Sequence, residues 1–245
     1  MRRINVIAMA GSGQRFVNQS FKTPKPLIII GNKPMFYYAV KSLPRSKKNI
    51  FISNKKIANN NKFKQYLKKF FKKSKIIETK KKTNGQATTC KLASKHLRDD
   101  DIITYGSCDF SFNFNTKRFN QLIKLNDVIV FVHKSKIENI DNFKEYGWVK
   151  KEKNNSILKI NCKNKVSNNP KNDYIITGNF TFKNKKVFHH CYKEMVNKKN
   201  KINNEYYMDI VAKCALNLDY KVKYLLVKNH KSYGTPRELF RNEKK

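Results

Sequence analysis

The residues best placed to do chemistry in this chain lie close together near its start. Ile4 to Met35 reads INVIAMAGSGQRFVNQSFKTPKPLIIIGNKPM. An apolar run stops at Gly11 and Gly13, Arg15 follows, and Lys25 stands between Pro24 and Pro26. Glycines let backbone N–H groups approach a phosphate chain closely. The planar fork of an arginine grips phosphate oxygens, and a lysine between prolines adds a point charge at a fixed place. The stretch lacks the GxxxxGK[ST] phosphate loop and the third glycine of the dinucleotide fingerprint. On residue types alone, Arg15 and Lys25 are equally readable as solvated charges beside an ordinary strand-to-helix turn. Two later stretches have similar character. TNGQ, with Gly85 and Gln86, precedes a helix that Gln86 could cap. GSCDF places Asp109 just after a strand, where an acid could serve as a helix N-cap.

Elements must bring these residues together. Ile4–Met9, Ile50–Ser53, Ile76–Ile77 and Ile102–Tyr105 read as short buried strands. Ala10 to Pro24 reads as a long polar loop. Helices are expected at Pro34–Ser42, Asn60–Phe71 and Ala87–Leu97, the first with Pro at its opening position. Strand and helix alternate over the first 110 residues, which points to a parallel α/β sheet. Ligands of such sheets bind beyond the carboxyl ends of the strands, so the loops after strand 1, before the third helix and after strand 4 are candidates to converge on one crevice. After Asp109 the rhythm changes. Val128–Val132, Tyr146–Lys151, Ser156–Asn161, Tyr174–Phe182 and Val222–Val227 read as strands. Asn184–Lys198, Tyr206–Leu218 and Pro236–Asn242 read as helices. No internal repeat or clean domain boundary interrupts the 245 residues.

Composition sets outer limits. A hydrophobic fraction of 39% argues against a disordered chain. The 54 Lys+Arg against 17 Asp+Glu give a net charge of +37. With 46 Lys, 8 Arg and 31 Asn spread along the chain, A-rich codon usage accounts for much of this. It does not account for the scarcity of acids, so a polyanionic surrounding stays open; no RRM, KH or zinc pattern supports nucleic acid as the partner. Five cysteines without a CxxC pair fit free thiols in a reducing compartment, hence a cytoplasmic protein. His189, His190 and Cys191 are adjacent on a predicted helix and point to different faces, against a zinc site. No apolar run approaches the roughly 18 residues of a membrane span.

AGSGQRF…TPKPLIIIGNKPM resembles the signature of sugar-phosphate nucleotidylyltransferases, the nucleoside-diphosphate-sugar pyrophosphorylases. TNGQATTCKLA, GSCDF, YGWVKKEKNNSILKI, YIITGNFTF, NNEYYMDIV and YGTPRELF are similar to later family stretches, in the family's order along the whole chain. The resemblance implies an α/β fold: a Rossmann-like three-layer sandwich around a central, mostly parallel mixed sheet. It implies a single nucleotidyltransferase domain over 1–245, with a nucleotide-binding half at 1–112 and an acceptor-binding half at 113–245. Ala10, Gly11, Gly13, Gly85 and Gln86 would bind the nucleotide, Arg15 the β/γ-phosphates and Lys25 the α-phosphate. Asp109 would hold Mg²⁺. Lys163 and Gly178 would face the acceptor, although the family's Glu-Lys-Pro is absent at Lys163. Where many members carry a second metal-binding Asp, this chain has Ser232; Asp209 or Glu205 are the substitutes considered, with Asp209 preferred.

The reaction implied is attack by an acceptor phosphate on the α-phosphorus of CTP, UTP or dTTP, with pyrophosphate leaving. A sugar 1-phosphate is the expected acceptor, in a pathway such as capsule or lipopolysaccharide synthesis. A cytidylyltransferase for a non-sugar phosphomonoester, and a non-catalytic homologue that binds nucleotide or polyanion, remain alternatives. No membrane partner is expected, and self-association is left open.

Overall fold

The computed structural model describes residues 1–243. Along the chain, β1 (Arg3–Met9) precedes a minimal hairpin of β2 (Ile29–Ile30) and β3 (Lys33–Pro34). Then come β4 (Lys48–Asn54), β5 (Ser74–Thr79) and β6 (Ile102–Gly106). The second half supplies β7 (Phe110–Asn113), β8 (Val128–Lys134), β9 (Gly147–Lys151), β10 (Ile157–Cys162), β11 (Tyr174–Phe182), β12 (Val222–Leu226) and β13 (Lys228–Ser232).

Nine strands form one sheet. The strands β5, β4, β1 and β6 are parallel neighbours in that order. β11 then runs antiparallel between β6 and β8, and β12 pairs parallel with β8. The β9–β10 hairpin joins the N-terminal part of β11. The result is the mixed, mostly parallel α/β sheet that the alternating pattern and the family resemblance predict.

Side-chain alternation along the strands fills both faces. Ile4 and Val6 of β1 point into one core layer with Val128, Val130 and Val132 of β8. Ile7 and Met9 point into the other with Ile129 and Phe131. The helices Gln86–Lys91, Lys185–Asn197 and Met208–Asn217 cover the first face; Met35–Ser42, Asn61–Phe70 and Thr116–Leu125 cover the second. Each fully buried Phe, Ile or Val side chain contributes about 1.5–3 kcal/mol relative to exposure. Four helices start on an asparagine whose side chain accepts a backbone N–H: Asn54 from Ile57, Asn60 from Phe63, Asn115 from Arg118 and Asn184 from Val187.

Several boundaries differ from expectation. The loop after β1 contains one helical turn, Gln14–Val17. Pro34 is the N-cap of its helix, not the first helical residue. The helix after TNGQ is α-helical only to Lys91 and continues as 3₁₀ over Leu92–His96. β7 and β13, paired antiparallel with each other, and the helix Thr116–Leu125 have no counterpart in the sequence reading.

Candidate active site

β1 and β6 are adjacent and parallel, so their carboxyl ends open side by side. Beyond β1, Gly13 adopts φ 65°, and a Cβ there would sit 3.3 Å from the Cβ of Lys25. The left-handed turn and the lack of a side chain let the glycine loop close onto the Lys25 segment. Asn54, at the end of β4, donates to the Ala10 carbonyl at 3.5 Å and steadies the loop from the other side. Gly11, Gly13, Lys22, Lys25 and Lys56 line one small cleft. Arg15 is exposed and close enough to Lys25 to work against its charge.

The centre of the site is an ion pair. Lys25 Nζ lies 2.5 Å from Asp109 Oδ2 and donates to the Gly234 carbonyl at 3.2 Å. The ammonium also stands 5.6 Å from the centre of the buried Phe16 ring. Ser107 Oγ donates to Asp109 Oδ1 at 2.6 Å. Burial works against the charge on each partner. It is outweighed in both: Asp109 holds Lys25 above the ordinary lysine value, and Lys25, with the Ser107 hydroxyl, holds Asp109 below the ordinary carboxylate value.

The C-terminal stretch completes this cluster. Tyr233 N–H donates to the Asp109 carbonyl at 2.8 Å, and the Tyr233 ring packs with Phe16, Ile28, Met35 and Leu239. A Cβ on Gly234 would lie 3.2 Å from Glu238 Oε2, and 3.4 Å from both Asp109 Oδ2 and Ser232 Oγ. Ser232 thus does adjoin Asp109. Glu238 belongs to a capping box: its carboxylate accepts from Thr235 N at 3.0 Å, and Thr235 Oγ1 accepts from Glu238 N at 3.2 Å. The Thr-x-x-Glu spacing is local in sequence, whereas the approach of Glu238 to the Gly234 backbone beside Asp109 is set by the fold.

The TNGQ loop reaches the same edge. Gly85 has φ 99°, and a Cβ would fall 2.5 Å from the Tyr206 carbonyl oxygen. Ala87 N–H donates to that oxygen at 3.0 Å and Tyr206 N–H donates to Asn84 O at 2.8 Å, so only glycine lets the two backbones meet. Gln86 does not cap its helix; its side chain donates to the Gly178 carbonyl at 3.2 Å. Gly178 itself lies at a register break in β11, with φ 78°, and a Cβ there would be 4.0 Å from Ser107 Oγ. Gln86, Gly178, Ser107 and Asp109 therefore lie one beside the next along this edge.

Asp209 and Lys163 form a second group. A Cβ on Gly147 would come within 2.7 Å of Asp209 Cγ. Burial raises the Asp209 carboxyl to about 6, against the lowering effects of the Cys162 hydrogen bond and the Lys163 charge. Lys163 takes φ 56° in the turn after β10, donates its N–H to the Tyr146 carbonyl at 2.9 Å, and holds its ammonium 5.1 Å from the Tyr207 ring centre. The contacts of Asp209 are thus with Cys162 and Gly147, whereas those around Asp109 come from Lys25, Ser107, Ser232 and Gly234. Glu205 accepts from the Tyr207 hydroxyl at 2.7 Å. His189 contacts Lys91 and Ser94 while His190 contacts Tyr220, the divergent faces expected of neighbouring helical residues.

A glycine loop after β1, a lysine–aspartate pair contributed by the loops that follow β1 and β6, and a glycine-dependent second loop come together at one edge of an α/β sheet. The nucleotidyl transferase family pattern matches residues 4–241, and the chain belongs to that family. Its reaction class is accordingly nucleotidyl transfer. Among solved structures it is similar to a nucleoside-diphosphate-sugar pyrophosphorylase from Vibrio cholerae RC9, with TM-score 0.80 and 20% identity over 98% of this chain and 100% of that one. The inositol-1-phosphate CTP transferase from T. maritima aligns with TM-score 0.72 and 17% identity over 100% and 97% of the two chains. A UDP-glucose pyrophosphorylase complexed with UDP-glucose aligns with TM-score 0.78 and 14% identity over 100% and 98%. No curated protein sequence matches. Among the described residues, no helix is long and apolar enough to cross a membrane.

Proposed function

We propose that this protein transfers a nucleoside monophosphate from CTP, UTP or dTTP to a sugar 1-phosphate, releasing pyrophosphate. The observation that carries the reading is the Lys25–Asp109 pair, set against the Gly11–Gly13 loop with Arg15 alongside. The cations match a triphosphate, and no activated nucleophile is required of the protein, because the acceptor's own phosphate oxygen attacks. Positioning and charge neutralisation then supply most of the catalysis. Backbone N–H groups of the loop orient the triphosphate, Lys25 neutralises charge at the α-phosphate, and Arg15 steadies the departing pyrophosphate. Gly85 and Gln86 border the base, while Lys163 and Gly178 border the acceptor.

Asp109 suits Mg²⁺. It lies in the bend between β6 and β7, keeps 22% of its side chain exposed, and already holds one cation, the Lys25 ammonium. Among the described residues, no three His, Cys, Asp or Glu side chains form a cage. Mg²⁺ ordinarily takes one or two carboxylates, with substrate phosphates and water as its remaining ligands. When bound, it would neutralise phosphate charge. Asp109 would hold it, with Ser107 fixing the carboxylate's orientation.

A second reading, cytidylyl transfer to a non-sugar alcohol phosphate, is favoured by Ser232 beside Asp109 and by Cys162 before Lys163, where the family's acidic residues are missing. Pyrophosphate release, measured for each triphosphate against sugar and polyol phosphates with Mg²⁺, tests both. Turnover with sugar 1-phosphates supports the first reading, turnover confined to polyol phosphates supports the second, and none with any pair overturns both.

A further inference from the structure

Beside the Asp109 cluster lies a cavity of about 650 Å³ that the transfer reaction, as derived above, does not use. Ser232 and Glu238, which flank Gly234 next to Asp109, form its wall on that side. Tyr146, whose carbonyl accepts from the Lys163 N–H, forms another part of the wall. The cavity thus borders the neighbours of Asp109 on one side and of Lys163 on another, although neither residue lines it.

Its lining is unbalanced in charge. Lys134, Lys136 and Lys228 reach it from the end of β8, the turn after it, and the start of β13. Among the described residues none of the three has a carboxylate partner, because the ion pairs formed involve other lysines and arginines. The two carboxylates in the lining are both engaged: Glu138 pairs with Arg241, and Glu238 caps its helix through Thr235. The rings of His133 and His230 stack with centroids 4.3 Å apart, and burial keeps both imidazoles neutral near pH 7. The stacked imidazoles thus offer an uncharged face, and the lining around them holds three ammonium groups without an ion-pair partner against the one such carboxylate, Glu238.

We propose that this cavity is an extension of the acceptor site and selects acceptors that carry a second anionic group, carboxylate or phosphate, remote from the reacting phosphate. The inference rests on the nucleotidyl-transfer reading and adds a substrate class to it. The reacting phosphate takes the Asp109 end, the body of the acceptor lies against the His133–His230 pair, and the second anion meets the lysines. These lysines are exposed, so their attraction is screened by salt.

The test compares three acceptors at fixed triphosphate and Mg²⁺: a neutral sugar 1-phosphate, a uronic acid 1-phosphate and a sugar bisphosphate. At low ionic strength at least one doubly anionic acceptor should exceed the neutral one by tenfold or more in kcat/KM. The ratio should fall toward one in a Lys136→Glu/Lys228→Glu variant and, in the wild type, as NaCl rises to 0.5 M. Uronate and bisphosphate arms separate the two sources of the second charge. Turnover of all three at equal kcat/KM, or a ratio indifferent to the variant, overturns the proposal and leaves nucleotidyl transfer standing. Absence of turnover with every acceptor and every triphosphate overturns both.

Discussion

Replacing Lys25 with methionine should expose how much of the site's order depends on one charge pair. The substitution keeps most of the stem that packs near Phe16 and removes the ammonium 2.5 Å from Asp109. Asp109 would keep Ser107 as its hydrogen-bonding side chain. Breaking a fully buried pair costs about 3–5 kcal/mol, because the remaining charge is left uncompensated. Here the two side chains retain 19% and 22% exposure, which lets water recover part of that cost. A loss of about 1–3 kcal/mol at pH 7 is therefore expected. Its pH dependence has a defined sign. Asp109 is held below its ordinary value, so its contribution is complete above about pH 4 and lost as pH falls through the lowered value. Lys25 is held above its ordinary value, so its contribution persists below about pH 10.5 and is lost as pH rises through the raised one. Urea unfolding of wild type and Lys25→Met from pH 3 to 9 should show a penalty that shrinks on the acid side. Adding Asp109→Asn should restore much of the loss at pH 7. A penalty below about 0.5 kcal/mol at pH 7, or one that does not shrink on acidification, would show that the pair is a surface contact and refute the reasoning. Turnover should fall by roughly 10²–10³ in Lys25→Met whatever the stability outcome.

Three further expectations are independent of this one. Gly85→Ala forces a Cβ against the Tyr206 carbonyl at a positive φ, and should cost about 1–3 kcal/mol in urea unfolding and raise the KM for triphosphate. Ser232→Asp adds a carboxylate beside Asp109; Mn²⁺ binding followed by electron paramagnetic resonance should tighten severalfold, while metal-free stability at pH 7 falls through like-charge repulsion. Asp209→Asn should raise stability at pH 7 by about 1–2 kcal/mol, because a carboxyl raised to about 6 loses stability as pH climbs from its unfolded value to its folded one. The gain should vanish below about pH 4 in unfolding titrations.

Much of the nucleotide half is legible in the sequence, because each strand there is a short apolar run closed by a glycine or a polar turn. Tyr174–Phe182 is also legible, its nine residues being nearly all buried. β7 and β13 are not: FSFN is four residues long, and KNHKS is polar throughout and owes its strand form to pairing with β7. Lys25 and Asp109 could be singled out, yet their direct contact spans 84 positions and depends on how β1 and β6 align. Glu238 was hidden by its capping role, which gives such a residue a sufficient local reason to be there. Asp209 stands in the sequence as a substitute for the acid missing at Ser232. Its actual neighbours, Gly147 and Cys162, come from the β9–β10 hairpin, whose docking against the helix Met208–Asn217 no local pattern reveals.

The asparagine caps have a consequence for how this chain tolerates its own composition. An aspartate would cap Ile57, Phe63, Arg118 or Val187 as well, and would add favourable charge at the helix start. Asparagine forgoes that charge but does not titrate. Acidification that strips the few carboxylates of their role in the site leaves these four helix origins untouched. The scaffold and the reactive centre should consequently part company in acid: the centre loses its ion pair while the capped helices persist, a separation visible as retained far-ultraviolet dichroism after binding has gone.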